Sequence, residues 1–77
     1  MSITVKFFAS LRERIGRSEV TLPYTNLLTV AQVWDQIHRH ESLPPHILTA
    51  VNMEYVDQNT PVKDGDEVAF FPPVTGG

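Results

Sequence analysis

The residues best suited to chemistry stand at the end of the chain, where Gly76 and Gly77 carry no side chains and Pro72-Pro73-Val74-Thr75 leads up to them. A Gly-Gly tip passes a channel too narrow for any Cβ and presents a bare carboxylate on Gly77. The two prolines cannot donate to a strand ladder and hold φ near −65°, so the chain leaves its last strand stiff and extended. Six extended residues at roughly 3.3 Å each reach on the order of 20 Å, enough to enter a partner while the folded body stays outside. The plain alternative is a frayed end, the ordinary fate of chain termini.

Other reactive residue types do not assemble into a site. His38 and His40, two apart on a helix, point roughly 200° away from each other, so they cannot share a metal and read as surface residues. His46 is a lone imidazole beside Pro45, with a structural reading. Asp64, Asp66 and Glu67 lack the twelve-position spacing of a calcium loop and belong to a turn. The chain has no cysteine, which excludes a disulfide framework and a thiolate metal site. No Gly-x-x-x-x-Gly-Lys phosphate loop occurs. Six Lys and Arg against nine Asp and Glu give a net charge of −3, which argues against nucleic acid as a partner. Arg12, Arg14 and Arg17 cluster, as a solvated helix face does. The N-terminal residues lack the pattern of a signal peptide and no window approaches a membrane span, so the cytoplasm is the expected location.

The tail needs a folded body to carry it, and the 77 residues suffice for one domain, with 42% hydrophobic and 19% charged residues. Ile3, Val5 and Phe7 alternate with Thr4, Lys6 and Phe8, the period of a strand with one buried face. Ser10-Leu11-Arg12-Glu13 has capping-box spacing and Gly16 is a natural stop, which predicts a short helix. Glu19 to Leu22 alternates again and Pro23 ends it, so the first two strands form a hairpin with the short helix inserted. Thr29-Val30-Ala31-Gln32 is a second capping box, and Val30, Val33, Trp34 and Ile37 form the apolar stripe of the main helix, with Trp34 in the core. Pro44-Pro45 interrupts the chain after it. Ala50 to Asn52 and Tyr55 to Asp57 read as short strands about a tight turn. Asp64-Gly65 marks another turn, and Glu67 to Phe71 is the final strand.

A single striped helix covers one face of that sheet, and the expected fold is an α+β β-grasp of residues 1–71 with an extended tail, 72–77. Phe7 and Phe70 take the core-facing phase, so Phe8 and Phe71 share the opposite face and form an apolar patch.

The closing run Asp64-Gly65-Asp66-Glu67-Val68-Ala69-Phe70-Phe71-Pro72-Pro73-Val74-Thr75-Gly76-Gly77 resembles that of the MoaD family, the small subunits of molybdopterin synthase. The likeness extends through Val5-Lys6-Phe7-Phe8-Ala9, Leu11-Arg12-Glu13 and Ala50-Val51-Asn52. It implies a ubiquitin-like β-grasp and a carrier cycle. In that cycle an E1-like enzyme, using ATP and Mg, adenylates Gly77, and sulfur originating from a sulfurtransferase replaces AMP to leave a thiocarboxylate. An acyl-adenylate has a far better leaving group than a carboxylate. The resemblance further implies insertion of Pro73, Val74, Thr75 and Gly76 into the large subunit of a heterotetramer. There sulfur passes to cyclic pyranopterin monophosphate to build the molybdopterin dithiolene. It places Phe8, Arg12, Tyr55 and Phe71 at the docking surface, although Tyr55 stands where an aliphatic residue is expected. The catalytic groups are then expected on the large subunit, and no cofactor is expected on this chain. The competing readings are a related sulfur carrier for thiamine synthesis or tRNA thiolation, and a non-catalytic ubiquitin-like interaction module.

Overall fold

The computed structural model describes residues 1–24, 28–38 and 46–72. The elements are β1 (Ser2–Phe7), α1 (Ala9–Ile15), β2 (Glu19–Pro23), β3 (Leu28–Thr29), α2 (Val30–Ile37), β4 (Leu48–Val51), β5 (Glu54–Val56), β6 (Pro61–Val62) and β7 (Glu67–Phe71). Five strands form one sheet in the order β2-β1-β7-β4-β5. β1 and β7 run parallel at its centre, in the register Val5↔Val68 and Phe7↔Phe70, and the remaining pairs are antiparallel. This mixed sheet with its main helix on one face is the β-grasp that the alternation and the helical stripe predict.

Alternation decides the core. Ile3, Val5 and Phe7 of β1 and Val68 and Phe70 of β7 are buried together with Leu11 of α1 and Val30, Val33 and Trp34 of α2. The Trp34 ring meets Phe70 edge-on at 5.0 Å and Phe7 at 6.4 Å, while Phe7 and Phe70 stack at 6.0 Å. Aromatic contacts of this geometry add to the area they bury. Thr49, buried on the same face of β4, donates its hydroxyl to the Val56 carbonyl at 2.6 Å, so its polar group is satisfied.

The two helices start differently. At α2 the capping box forms as expected: Gln32 N–H donates to Thr29 Oγ1 at 3.3 Å, and Thr29 N–H donates to Gln32 Oε1 at 2.9 Å. At α1 the expected Ser10–Glu13 box is absent. The N-cap is Phe8, with no side-chain cap bond, because the chain turns at Ala9 (φ 53°) straight out of β1. Ser10 therefore sits inside the first turn rather than ahead of it. Gly16 stops α1 in the left-handed conformation (φ 81°), its N–H donating to the Arg12 carbonyl at 2.9 Å, which a residue without a Cβ does freely.

Other departures are local. β4 begins at Leu48 and ends at Val51, leaving Asn52 in the turn. The pair β3–β6 has no counterpart in the sequence reading, since two residues a side carry no periodicity. It fixes the start of α2, where Val30 N–H donates to the Thr60 carbonyl and Ala31 N–H to that of Gln58. His38 is a correction: α2 ends at Ile37, and His38 is its half-buried C-cap with its ring 4.6 Å from that of Trp34. The indole supplies a flat apolar surface that draws the imidazole in. His46 is exposed. His40 and Pro44-Pro45 lie outside the described residues.

Candidate functional site

The face of the sheet opposite α2 carries the aromatic residues that the alternation leaves outside the core. Phe8 follows β1 in extended conformation (φ −122°, ψ 155°), and its N–H donates to the Phe70 carbonyl at 3.2 Å. That bond extends the β1–β7 pairing by one residue and holds the Phe8 ring beside Phe71, 6.1 Å away and near perpendicular. Tyr55 of β5 meets Phe71 from the other side at 5.5 Å. Phe71 is the shared neighbour of both rings.

The exposure of this cluster is large for its composition: Phe8 is 46% and Tyr55 73% exposed. Leu48, 36% exposed, lies directly opposite Phe71 in the β4–β7 register and joins the same face, since its neighbour Thr49 points into the core. Sequence reasoning missed Leu48 because it began this strand at Ala50. The signal was the alternation of Leu48 and Ala50 with Thr49 and Val51, which is weak where three of four residues are apolar. Ala50 and Ala69, paired across β4 and β7, continue the same face, and Lys6 and Glu67 form an ion pair on it at 3.2 Å. Arg12, the fourth expected docking residue, is exposed on α1.

No catalytic constellation accompanies this patch. Among the described residues no group of three His, Asp or Glu side chains could hold a metal ion, and no helix is long and apolar enough to cross a membrane. The hollow between α1, β2 and the end of α2 is lined by Ile15, Val20, Leu22 and Ile37, with Arg17, Gln36 and His38 at its edge, and contains neither a carboxylate nor a hydroxyl nucleophile. Phe71 closes β7, and Pro72 is half-buried behind it. The expected tail residues Pro73, Val74, Thr75, Gly76 and Gly77 lie outside the described residues. What the described geometry offers is an apolar surface at the end of the sheet from which β7 departs.

Three comparisons bear on this arrangement. Residues 5–77 match the model of the ThiS family. The molybdopterin synthase sulfur carrier subunit of Escherichia coli (strain K12) is 40% identical over 80 residues, covering 97% of this chain and 99% of the relative. Among solved structures, SAMP1 from Haloferax volcanii superposes with a TM-score of 0.82 at 30% identity over the whole of both chains. The complex of subunits 1 and 2 of the molybdopterin-converting factor from Helicobacter pylori 26695 contains a chain that matches at 27% identity with a TM-score of 0.67, again over the whole of both chains. With nearly the full length matched by the family model, the chain belongs to the ThiS family.

Proposed function

We propose that this chain is the sulfur-carrier subunit of molybdopterin synthase, a body of residues 1–71 that docks and a tail, 72–77, that delivers. The observation that carries the reading is the end-to-end 40% identity to a protein named for that role. The apolar surface of Phe8, Tyr55 and Phe71 at the departure point of the tail supports it. The matching chain in the Helicobacter pylori complex is bound to a second subunit, and the partner proposed here is the corresponding large subunit, in a cytoplasmic heterotetramer.

The chemistry belongs to Gly77. An E1-like enzyme, supplying ATP and Mg, converts its carboxylate to an acyl-adenylate with release of pyrophosphate. A sulfur nucleophile delivered by a sulfurtransferase then displaces AMP to give a thiocarboxylate. Inside the large subunit the thiocarboxylate sulfur is passed to cyclic pyranopterin monophosphate, forming the dithiolene. Pro73, Val74, Thr75 and Gly76 extend the reach. This chain binds no cofactor in that scheme and contributes no acid or base, only a positioned acyl group whose effective concentration in the site is set by docking.

The test is mass spectrometry of the chain after incubation with its activating enzyme, ATP, Mg and a sulfur donor, followed by addition of the large subunit and precursor. The expected result is the mass gain of one oxygen replaced by sulfur, reversed as molybdopterin forms. An unmodified mass would leave an interaction module. A thiocarboxylate that the large subunit cannot use would point to thiamine synthesis or tRNA thiolation.

A further inference from the structure

Ala9 holds a left-handed backbone, φ 53°, a conformation that costs an L-residue other than glycine and persists only where its surroundings over-determine it. The residue joins β1 to α1, and both backbone polar groups of the preceding Phe8 are fixed. Phe8 N–H donates to the Phe70 carbonyl at 3.2 Å, and the Phe8 carbonyl accepts from Leu11 N–H at 3.2 Å. The turn has a geometric effect. Phe7 and Leu11 both reach the core, at 1% and 2% exposure, yet Phe8 between them stays on the opposite face against Phe71. If β1 simply continued, Ala9 would take the next core-facing position and the helix carrying Arg12 would start elsewhere.

We propose that Ala9 is a positioning residue for partner docking: its left-handed turn takes the chain out of β1 directly after Phe8, leaving the Phe8 ring at the strand end against Phe71 and open to a partner. The inference rests on the docking surface proposed above and assigns the role to the backbone at Ala9, whose side chain is exposed. Alanine fits because its methyl is the smallest group that still narrows the backbone freedom of the free chain. A β-branched residue opposes the left-handed region more strongly.

The experiment is a double-mutant cycle measured by calorimetric titration of the large subunit from the same organism, with Trp34 fluorescence reporting folding. Phe8→Ala is expected to weaken binding about tenfold, as loss of an aromatic anchor does. Ala9→Val should weaken it by a similar factor, and the double variant by about tenfold rather than the roughly hundredfold of independent sites, because both remove one positioned ring. Ala9→Gly, which accepts the left-handed conformation, should bind within about twofold of the parent. If Phe8→Ala weakens binding while Ala9→Val leaves it unchanged, or if the two effects multiply, the positioning role is overturned and the docking surface stands. If Phe8→Ala has no effect, both fall. Should Ala9→Val fail to fold, chemical synthesis with D-alanine at position 9 decides the matter. A D-residue favours the left-handed region, so that protein should fold and bind within about twofold, and loss of binding in the folded D-alanine protein overturns the proposal.

Discussion

At the scale of single residues, the outer face concentrates on Phe71, which touches the rings of both Phe8 and Tyr55. Truncating a central aromatic anchor costs an interface about 2 kcal/mol, or roughly 30-fold in affinity. Phe71→Ala is therefore expected to fold and to bind the large subunit about 30-fold more weakly by titration calorimetry. Unchanged affinity would remove Phe71 from the docking surface. A second residue bears on stability alone. Asn52 and Met53 both have positive φ, 51° and 70°, in the β4–β5 turn. Asn52 suits that turn and is tied by its side-chain amide to Asp66 Oδ1 at 3.0 Å and by its Oδ1 to Glu67 N–H at 3.0 Å. Met53 is 91% exposed and gains nothing from packing, and the second position of such a turn favours glycine. Met53→Gly should raise stability by about 0.5 to 1 kcal/mol, read as a higher urea midpoint with unchanged slope. A lower midpoint would show that the methionine side chain contributes to the fold.

At the scale of elements, the sheet and the main helix were legible because each repeats its own period. β1 and β7 alternate strictly, and α2 carries Val30, Val33, Trp34 and Ile37 behind a capping box that forms as written. Trp34 is the largest member of that stripe and sits 2% exposed among Phe7, Phe70 and His38. Trp34→Ala is expected to cost on the order of 3 to 5 kcal/mol, a large part of the stability of a domain this small. A normal denaturant midpoint together with lost partner binding would mean that the helix face is the docking side. The elements that escaped were those whose local signal competes with a tertiary demand. The Ser10–Glu13 spacing is a sound start signal, but α1 begins two residues earlier, at Ala9 with Phe8 as its N-cap, to turn out of β1, so the tertiary junction overrides it. His38 follows the helical stripe in sequence, yet its position depends on where α2 stops. Of the proposed docking set, the outward placement of Phe8 and Phe71 followed from strand phase alone, while Arg12 and Tyr55 came only from family resemblance. Leu48, their neighbour on the outer face, needed the β4–β7 register.

At the scale of the whole molecule, the division of labour proposed between body and tail has a sharp consequence for chain length. Deleting Gly77 leaves a carboxylate on Gly76 but withdraws it by roughly 3.5 Å, and misplacement of about 1 Å from a reactive geometry can cost a hundredfold. An alanine added after Gly77 moves the reactive group to a new residue and puts a methyl at the tip. Both variants are expected to dock with unchanged affinity, yet neither should support pyrophosphate exchange with the activating enzyme. Near-normal exchange by either would separate Gly77 from the chemistry.

The parallel pairing of β1 with β7 also governs when the molecule can fold. The first strand to leave the ribosome waits for the last, because Phe7 meets Phe70 and Val5 meets Val68 only across that central pair. Contacts between opposite ends of a sequence demand closure of a long loop before they return any stability, which slows folding and defers it. A nascent chain that stops short of Glu67 has β1 flanked only by β2, while β4 and β5 form a separate hairpin with no strand to join them to it. Synthesis of this protein therefore has no folded halfway point, and an interrupted chain offers proteases an open core instead of a defective fold.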